Sequence, residues 1–170
     1  AGKGTRNSFS SKTNKALLPI NNRAAISIIM DTFPDDTQFV IALGYNGNLI
    51  KDYFRSIRTK KKIEYCYVNN FDGPNSGPGA SLLACKEKLN SPFIFTSCDT
   101  LVDNKIHNLE NNWVGVSTVK TPSNFLIFEF ENNKVNKFYD KPDLTFFKKN
   151  ISNFDAFIGM AGIYDYKEFW

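Results

Sequence analysis

The fold class follows from residues 38–68, which read QFVIALGYNGNLIKDYFRSIRTKKKIEYCYV. This stretch contains two short apolar runs, 39–43 and 63–68, of the kind found in strands buried on both faces. Between them, apolar residues recur at the spacing of an amphipathic helix, namely Leu49, Ile50, Tyr53, Phe54 and Ile57. A strand, a helix and a second strand in this order predict a right-handed crossover between parallel strands.

The same alternation continues on both sides of this stretch. Upstream, a helical pattern over 26–33 ends at Pro34. Downstream, a loop rich in Gly, Pro and Asn over 69–79 leads into a helix over 80–89 and a third strand over 92–97. We therefore expect a mostly parallel, buried sheet with helices on both faces, and ligands at the carboxyl ends of its strands.

The second half of the chain has a different pattern, with strand-like segments and little helix between them. These segments are 113–119, 125–131, 134–139 and 157–164. The pair Asn132-Asn133 predicts a hairpin turn between the second and the third of them. We expect this half to continue the sheet with strands of mixed direction.

The composition is that of one globular domain, with 170 residues, 42% hydrophobic residues and 15% aromatic residues. The net charge of +4 suits anionic small molecules but lacks the density of a nucleic-acid surface. The basic run at 58–62 is more typical of a solvated turn than of a nucleic-acid site. We therefore expect no nucleic-acid partner.

The number of cysteines and the hydropathy of the chain indicate the cellular compartment in which the protein works. The chain has 3 cysteines, none of them in Cys-x-x-Cys spacing, so we expect neither a disulfide framework nor a zinc site. A reducing cytoplasm fits this usage best. No apolar run approaches the roughly 18 residues of a membrane span, and we expect no membrane partner.

The opening segment contains residue types that suit a phosphate group. Gly2 and Gly4 let the backbone approach an anion, while Arg6 and Lys15 can neutralise its charge. Gly-Lys-Gly-Thr also occurs in the phosphate loops of adenylate-kinase-like enzymes, where the loop enters a long helix directly. Residues 6–15 are polar and carry no helical stripe, which argues against that interpretation.

The order of the motifs resembles the nucleotidyltransferase family that makes nucleotide sugars from nucleoside triphosphates and sugar 1-phosphates. Its opening signature, Gly-x-Gly-Thr-Arg and then Lys-x-Leu-Leu-Pro, is matched at 2–6 and 15–19. Further similar segments are GPGASLL at 77–83, SCDT at 97–100, FYDKP at 138–142 and GMAGIY at 159–164. These segments occur in the family's order over nearly the whole chain.

The resemblance implies an α/β, Rossmann-like fold with a mixed, mostly parallel sheet and helices on both faces. It also implies roles toward the nucleotide. The triphosphate would be held by Gly2, Gly4, Thr5 and Arg6, with Lys15 near the α-phosphate, and Arg6 and Lys15 would be the catalytic residues. The base would lie against Asn69 or Asn70, Pro78 and Gly79.

The resemblance further implies a metal ion and a second substrate. Asp99 would bind Mg²⁺, Lys141 would contact the phosphate of a phosphorylated small molecule, and Gly162 would let its sugar approach the backbone. The reaction would release pyrophosphate and supply surface glycan synthesis. The acceptor phosphate is already ionised, so no general base is needed, and the single histidine, His107, lies in no motif.

Several alternatives stay open at this stage. The acceptor could be a phosphorylated alcohol such as phosphocholine, with CTP as the donor. The chain could also be a non-catalytic relative that binds nucleotide. The sequence leaves the base preference open, and a homo-oligomer is compatible with it.

This sequence departs from the family pattern at its ends and within two motifs. The family has an apolar strand before its glycine loop and a second metal-binding Asp well after Ala-Gly-Ile-Tyr, whereas this chain runs from Ala1 to Trp170. We therefore expect one nucleotidyltransferase domain over 1–170 that is incomplete at both ends. Ser-Cys replaces Gly before Asp99, and Asp140 replaces Glu before Lys-Pro.

Overall fold

The computed structural model describes Gly2 and residues 13–106, 109–143 and 154–170. Near its start, the 3-10 turn Lys15–Leu17 leads into a small antiparallel hairpin of β1 (Pro19–Ile20) and β2 (Arg23–Ala24). Its turn residues Asn21 and Asn22 have φ of 47° and 63°, a left-handed backbone that Asn tolerates well. Sequence patterning did not predict this hairpin.

The first region, residues 13–106, contains the predicted alternation. In chain order it comprises α1 (Ala25–Met30), β3 (Gln38–Leu43), α2 (Gly47–Ser56), β4 (Lys62–Tyr67), α3 (Pro78–Ala84), the 3-10 turn Lys86–Lys88 and β5 (Phe93–Thr96). Strands β3 and β4 pair in parallel, from Gln38 opposite Lys62 to Leu43 opposite Tyr67. The predicted crossover unit is confirmed.

The main core lies between the two helices α1 and α2 and strand β3. Its buried residues are Ala16, Ala24, Ile26, Met30, Leu43, Ile50 and Phe54. The hydroxyls of Ser27 and Tyr53 share a 2.8 Å hydrogen bond that joins α1 to α2. Leu49 and Ile57 remain exposed, so the buried stripe of α2 is narrower than the sequence predicts.

The second region, residues 109–143 and 154–170, is built from antiparallel strands. It comprises β6 (Trp113–Ser117), β7 (Leu126–Glu131), β8 (Lys134–Asp140), β9 (Phe154–Ile163) and the short helix α4 (Tyr166–Phe169). The sheet order is β5-β9-β7-β8, and β6 also pairs with β9. The predicted hairpin turn is confirmed, with φ of 51° at Asn132 and 60° at Asn133.

The balance of strand directions differs from the sequence-based expectation. Among the described pairings, β3 with β4 is parallel, and the others are antiparallel. β5, which the sequence predicts as a third parallel strand, instead pairs antiparallel with β9. Within the described residues, no strand lies between β3 and β5 to join their sheets. β5 instead forms its hydrogen bonds with the long strand β9, so β3 and β5 belong to separate sheets.

The second core is smaller than the first. Ile127 and Ala156 are its buried residues, with Val119, Tyr139 and Phe154 half-buried around them. At the edge of the sheet, β8 is almost entirely exposed along its length. An exposed edge strand with charged residues is a common way to prevent edge-to-edge association.

The two regions pack against each other at several points. The Trp170 ring stacks on Phe93 of β5 at 5.9 Å between centroids, and Trp170 Nε1 donates to the Leu89 carbonyl at 3.0 Å. The structure thus ties the last residues of the chain to the start of β5. No helix in the described part of the chain has the length and apolar character needed to cross a membrane.

Candidate active site

The side chains of Lys15 and Asp99 meet, although they are 84 positions apart in sequence. Lys15 Nζ donates a hydrogen bond to Asp99 Oδ2 and forms an ion pair with it. The side chains keep 37% and 49% of their surface exposed, so both groups are accessible from solvent. An exposed pair of this kind contributes about 0–1 kcal/mol to stability.

The turn that carries Lys15 is fixed by the side chain of Asn14. Its Oδ1 accepts from the Ala16 N–H at 3.0 Å, which caps the Lys15–Leu17 turn. Its Nδ2 donates to the Tyr45 carbonyl at 2.8 Å, just beyond the carboxyl end of β3. Asn14 therefore joins the Lys15 turn to the loop between β3 and α2.

The turn that carries Asp99 is fixed by β9. The Ser97 N–H donates to the Gly159 carbonyl at 2.7 Å, and the buried Thr100 donates through Oγ1 to the Ile158 carbonyl. Gly159 has φ of 86°, and a methyl group there would lie 2.6 Å from Ser97 Oγ. Glycine at 159 thus allows both the backbone conformation and the close approach of the Asp99 turn.

Gly2 lies close to the loop after β4. A methyl group at the exposed Gly2 would lie 3.9 Å from the Phe71 carbonyl oxygen, an ordinary contact distance. The rings of Phe71 and Tyr45 are 6.4 Å apart, and the predicted base-contacting residue Asn69 is exposed nearby in sequence. Gly2 therefore lies beside Phe71, and contacts run from the Phe71 ring through Tyr45 and the Lys15 turn to Asp99.

The other predicted residues lie outside this chain of contacts. Pro78 and Gly79 are exposed at the start of α3. Lys141 is exposed after β8 with φ of 47°, and its N–H donates to the Phe125 carbonyl at 2.9 Å. Within the described residues, no hydrogen bond or ion pair links Lys141 to Lys15 or Asp99.

Gly162 has a packing reason to be glycine. A side chain there would overlap the indole of Trp113 and the side chain of Leu109. The groups that approach the Gly162 backbone in the structure are therefore the side chains of Trp113 and Leu109. That a sugar approaches Gly162 stays a prediction, as do the other assigned roles. Gly4, Thr5, Arg6 and His107 lie outside the described residues.

The thiol of Cys98, next to Asp99 in sequence, is the neighbouring group whose charge state matters here. Burial raises the pKa of the Cys98 thiol above its usual range, and the neighbouring Asp99 carboxylate raises it further. This thiol therefore stays protonated at neutral pH and adds no charge to the site. All three cysteines are free thiols.

The Asp99 carboxylate suits a Mg²⁺ site in which the substrate phosphates would supply further ligands. No cluster of three or more His, Cys, Asp or Glu side chains occurs in the part of the chain that the structure describes. Magnesium in nucleotide sites is usually held by one or two carboxylates together with substrate phosphates. A half-exposed carboxylate beside a lysine has the right chemistry for that arrangement.

A cavity of about 460 Å³ lies elsewhere, between α1, α2 and the turn at 58–61. Arg23 and Lys61, two of its cations, are already paired with Asp31 and Asp35. It contains none of the residues that the sequence assigns to substrate. The strand ends described above therefore remain the candidate active site.

Sequence reasoning missed the residues that position the two charged groups. It assigned no role to Asn14, Thr100 or Gly159. Asn14 could have been found, because Asn directly before a helical turn is a typical N-cap. No sequence signal shows that Ser97 and Thr100 would bond to β9, because that contact depends on strand pairing.

The carboxyl ends of the strands are where an open α/β sheet typically binds its ligand, and Lys15 and Asp99 meet there. The chain matches no family model. The bifunctional protein GlmU of Methanococcus aeolicus is 24% identical to it over 174 residues, which cover 98% of this chain and 38% of GlmU. The chain therefore spans less than half the length of this curated relative.

A crystal structure from Bacillus anthracis, assigned as a glucose-1-phosphate thymidylyltransferase and solved with a sucrose, has the same fold. The TM-score is 0.76 at 21% identity, over 99% of this chain and 70% of that chain. This match confirms the predicted fold class. Together the two matches confirm the predicted resemblance to the nucleotidyltransferase family.

Proposed function

We propose that this domain is a Mg²⁺-dependent nucleotidyltransferase that joins a nucleoside triphosphate to a sugar 1-phosphate and releases pyrophosphate. The observation that carries the proposal is the meeting of Lys15 and Asp99 at the carboxyl ends of β3 and β5. The name of the Bacillus anthracis protein, which specifies glucose 1-phosphate, supports this acceptor class. Surface glycan synthesis is the use we propose for the product.

The chemistry explains why a lysine is needed in this place. An oxygen of the acceptor phosphate forms a bond to the α-phosphorus, and the bond from that phosphorus to the bridging oxygen of the β-phosphate breaks. Both reactants are anions, so charge at the α-phosphate must be offset as the bond forms. The Lys15 ammonium is the described group that supplies this positive charge, and Arg6 is proposed to assist it.

The remaining roles are those that the family resemblance implies. Asp99 would hold Mg²⁺, which when bound neutralises phosphate charge. In this proposal Lys15 moves from Asp99 toward the α-phosphate once nucleotide is present, because the triphosphate as a whole carries several negative charges and the Asp99 carboxylate only one. Gly2, Gly4 and Thr5 would bind the triphosphate, Asn69, Pro78 and Gly79 the base, and Lys141 the acceptor phosphate.

No proton acceptor is required in this reaction. The second ionisation of a phosphate monoester has a pKa of about 6, so the acceptor oxygen is already a nucleophile at pH 7. Binding and orientation of two anions then account for most of the rate enhancement.

The test is a pyrophosphate-release assay on the purified full-length protein with a panel of nucleoside triphosphates and sugar 1-phosphates, with Mg²⁺ present. We expect release with at least one pair, and a loss of about 10²–10³-fold in kcat for Lys15→Met or Asp99→Asn, the range typical of losing one transition-state contact. Lys134→Met and Asp52→Asn remove matched charges from the β7–β8 hairpin and from α2 and should leave the rate unchanged.

Two results would contradict the proposal. Release with CTP and phosphocholine but with no sugar phosphate would overturn the acceptor class. Nucleotide binding without release for any pair would indicate a non-catalytic relative.

A further inference from the structure

We infer that Asn14 is a positioning residue that fixes the ammonium of Lys15 for catalysis. This inference rests on the proposed function, since it concerns how Lys15 reaches its working place. Asn14 is one residue before Lys15 and makes two hydrogen bonds in opposite directions, one within the Lys15 turn and one to the β3–α2 loop. Nothing in the family signature quoted above includes this position.

The first bond controls the direction of the Lys15 side chain. Asn14 Oδ1 accepts from the Ala16 N–H at 3.0 Å, one of the backbone donors that a short turn leaves unpaired at its start. The turn Lys15–Leu17 has three residues, so it has little hydrogen bonding of its own to hold its shape. Without the cap, Lys15 would sample several backbone conformations.

The second bond controls where the turn lies relative to the sheet. Asn14 Nδ2 donates to the Tyr45 carbonyl at 2.8 Å, and Tyr45 follows β3 by two residues. Strand β3 belongs to the main core through the buried Leu43. The Lys15 turn is therefore tied to a rigid element, while its side chain stays 37% exposed.

The long lysine side chain makes this anchoring necessary. Lys15 has four rotatable side-chain bonds, and fixing such a chain costs up to about 2 kcal/mol of rotamer entropy even when its backbone is fixed. A misplacement of about 1 Å in a positioned group can cost about 10²-fold in rate. A fixed backbone leaves the side chain fewer places to search for the α-phosphate.

Three substitutions separate the two bonds. Asn14→Ala removes both of them. Asn14→Ser keeps an N-cap oxygen but is too short to reach the Tyr45 carbonyl. Asn14→Asp keeps the cap oxygen and the length, but it presents a carboxylate oxygen to that carbonyl in place of a donor.

The expected result is a loss in kcat for the nucleotidyl transfer with little change in KM for the nucleotide. We expect about 10- to 100-fold for Asn14→Ala and a smaller loss for Asn14→Ser. The double variant Asn14→Ala, Lys15→Met should be no slower than Lys15→Met alone, because Asn14 acts through Lys15. Gln38→Ala, which removes a side-chain amide at the opposite end of β3, should leave kcat unchanged.

Amide hydrogen exchange at Ala16 and Leu17 gives a readout that does not depend on activity. We expect Asn14→Ala to lose protection at Ala16, and Asn14→Ser to retain it. If the wild-type chain shows no transfer, the proposed function fails while the exchange data still report whether Asn14 fixes the turn. Losses from Asn14→Ala and Lys15→Met that multiply, or unchanged exchange at Ala16, would overturn the inference.

Discussion

Lys15 and Asp99 are positioned by different regions of the molecule. The Lys15 turn is held inside the first region, by Asn14 and the loop after β3. The Asp99 turn belongs to the first region in sequence, but its hydrogen bonds go to β9 of the second region. The proposed active site therefore depends on both regions being folded and correctly packed.

The two regions also differ in how they are stabilised. The first has a core of seven buried residues between helices and a parallel pair of strands. The second has a core cluster of only two buried residues, Ile127 and Ala156, with Met160 and Ala161 buried elsewhere on β9, and it depends more on antiparallel strand pairing. This difference indicates that the first region supplies most of the hydrophobic stability. The second region supplies the strand, β9, to which the Asp99 turn is hydrogen-bonded.

The largest expected effect tests this difference between the cores. Leu43→Ala, at a side chain 1% exposed within the first core, should cost about 3–5 kcal/mol, because surrounding helices limit collapse of the cavity. Ile127→Ala, at 0% exposure in the smaller core, should cost about 2–3 kcal/mol. Denaturant unfolding measures both values, and a larger loss for Ile127→Ala would reverse our ranking of the two cores.

The next effect tests whether the second region controls Asp99. Gly159→Ala should lower the unfolding free energy by about 1–3 kcal/mol through backbone strain, with a further loss from the contact with Ser97. We also expect reduced pyrophosphate release, because the Asp99 turn must shift. Both quantities can be measured on the same purified variant.

The control for this substitution is Gly73→Ala. Gly73 has φ of 79° but nothing within 4 Å of the added methyl group, so it reports backbone strain without a contact. Equal stability losses for the two variants would show that the contact between Gly159 and the Asp99 turn contributes nothing.

A small effect is expected at the exposed edge of the second region. Phe138 on β8 is 70% exposed, so Phe138→Ser should change the unfolding free energy by no more than about 0.5 kcal/mol. Thermal or denaturant unfolding beside Ile127→Ala provides the comparison. A loss above 1 kcal/mol would mean that this face of the hairpin is covered in the folded protein.

The smallest expected effect depends on pH and lies in the first region. The hydrogen bond and charge of Lys88 lower the pKa of Glu64 below its ordinary value of 4.5. A lowered carboxyl pKa stabilises the folded state above pH 4.5, and this contribution is lost as the pH falls through the folded value. Glu64→Gln should therefore reduce stability slightly near pH 7 and not in strong acid.

Unfolding of wild type and Glu64→Gln across this pH range, at low and high salt, checks the prediction. Added salt should shrink the difference near neutral pH, because the pair is exposed. A difference that persists in strong acid would assign the effect to packing.

Local patterns in the sequence predict most of the helices and strands. The apolar runs around residues 40 and 65 and the stripe of α2 predict β3, β4 and their parallel crossover, since burial imposes those periods on the chain. The hairpin at Asn132 follows from turn chemistry in the same way. The partner of β5 was not predictable, because a strand's own residues do not specify which of several edges it joins.

The candidate site shows the same division. The sequence by itself determined the residue types of the proposed site, a glycine-containing opening, Lys15 and Asp99, which are types that phosphate and metal binding would require. Only the tertiary structure decided that Lys15 meets Asp99 and that Asn14 and Gly159 hold their two turns. The physical reason is that hydrogen bonds between distant turns depend on how strands pair and helices pack, and no local pattern records those choices.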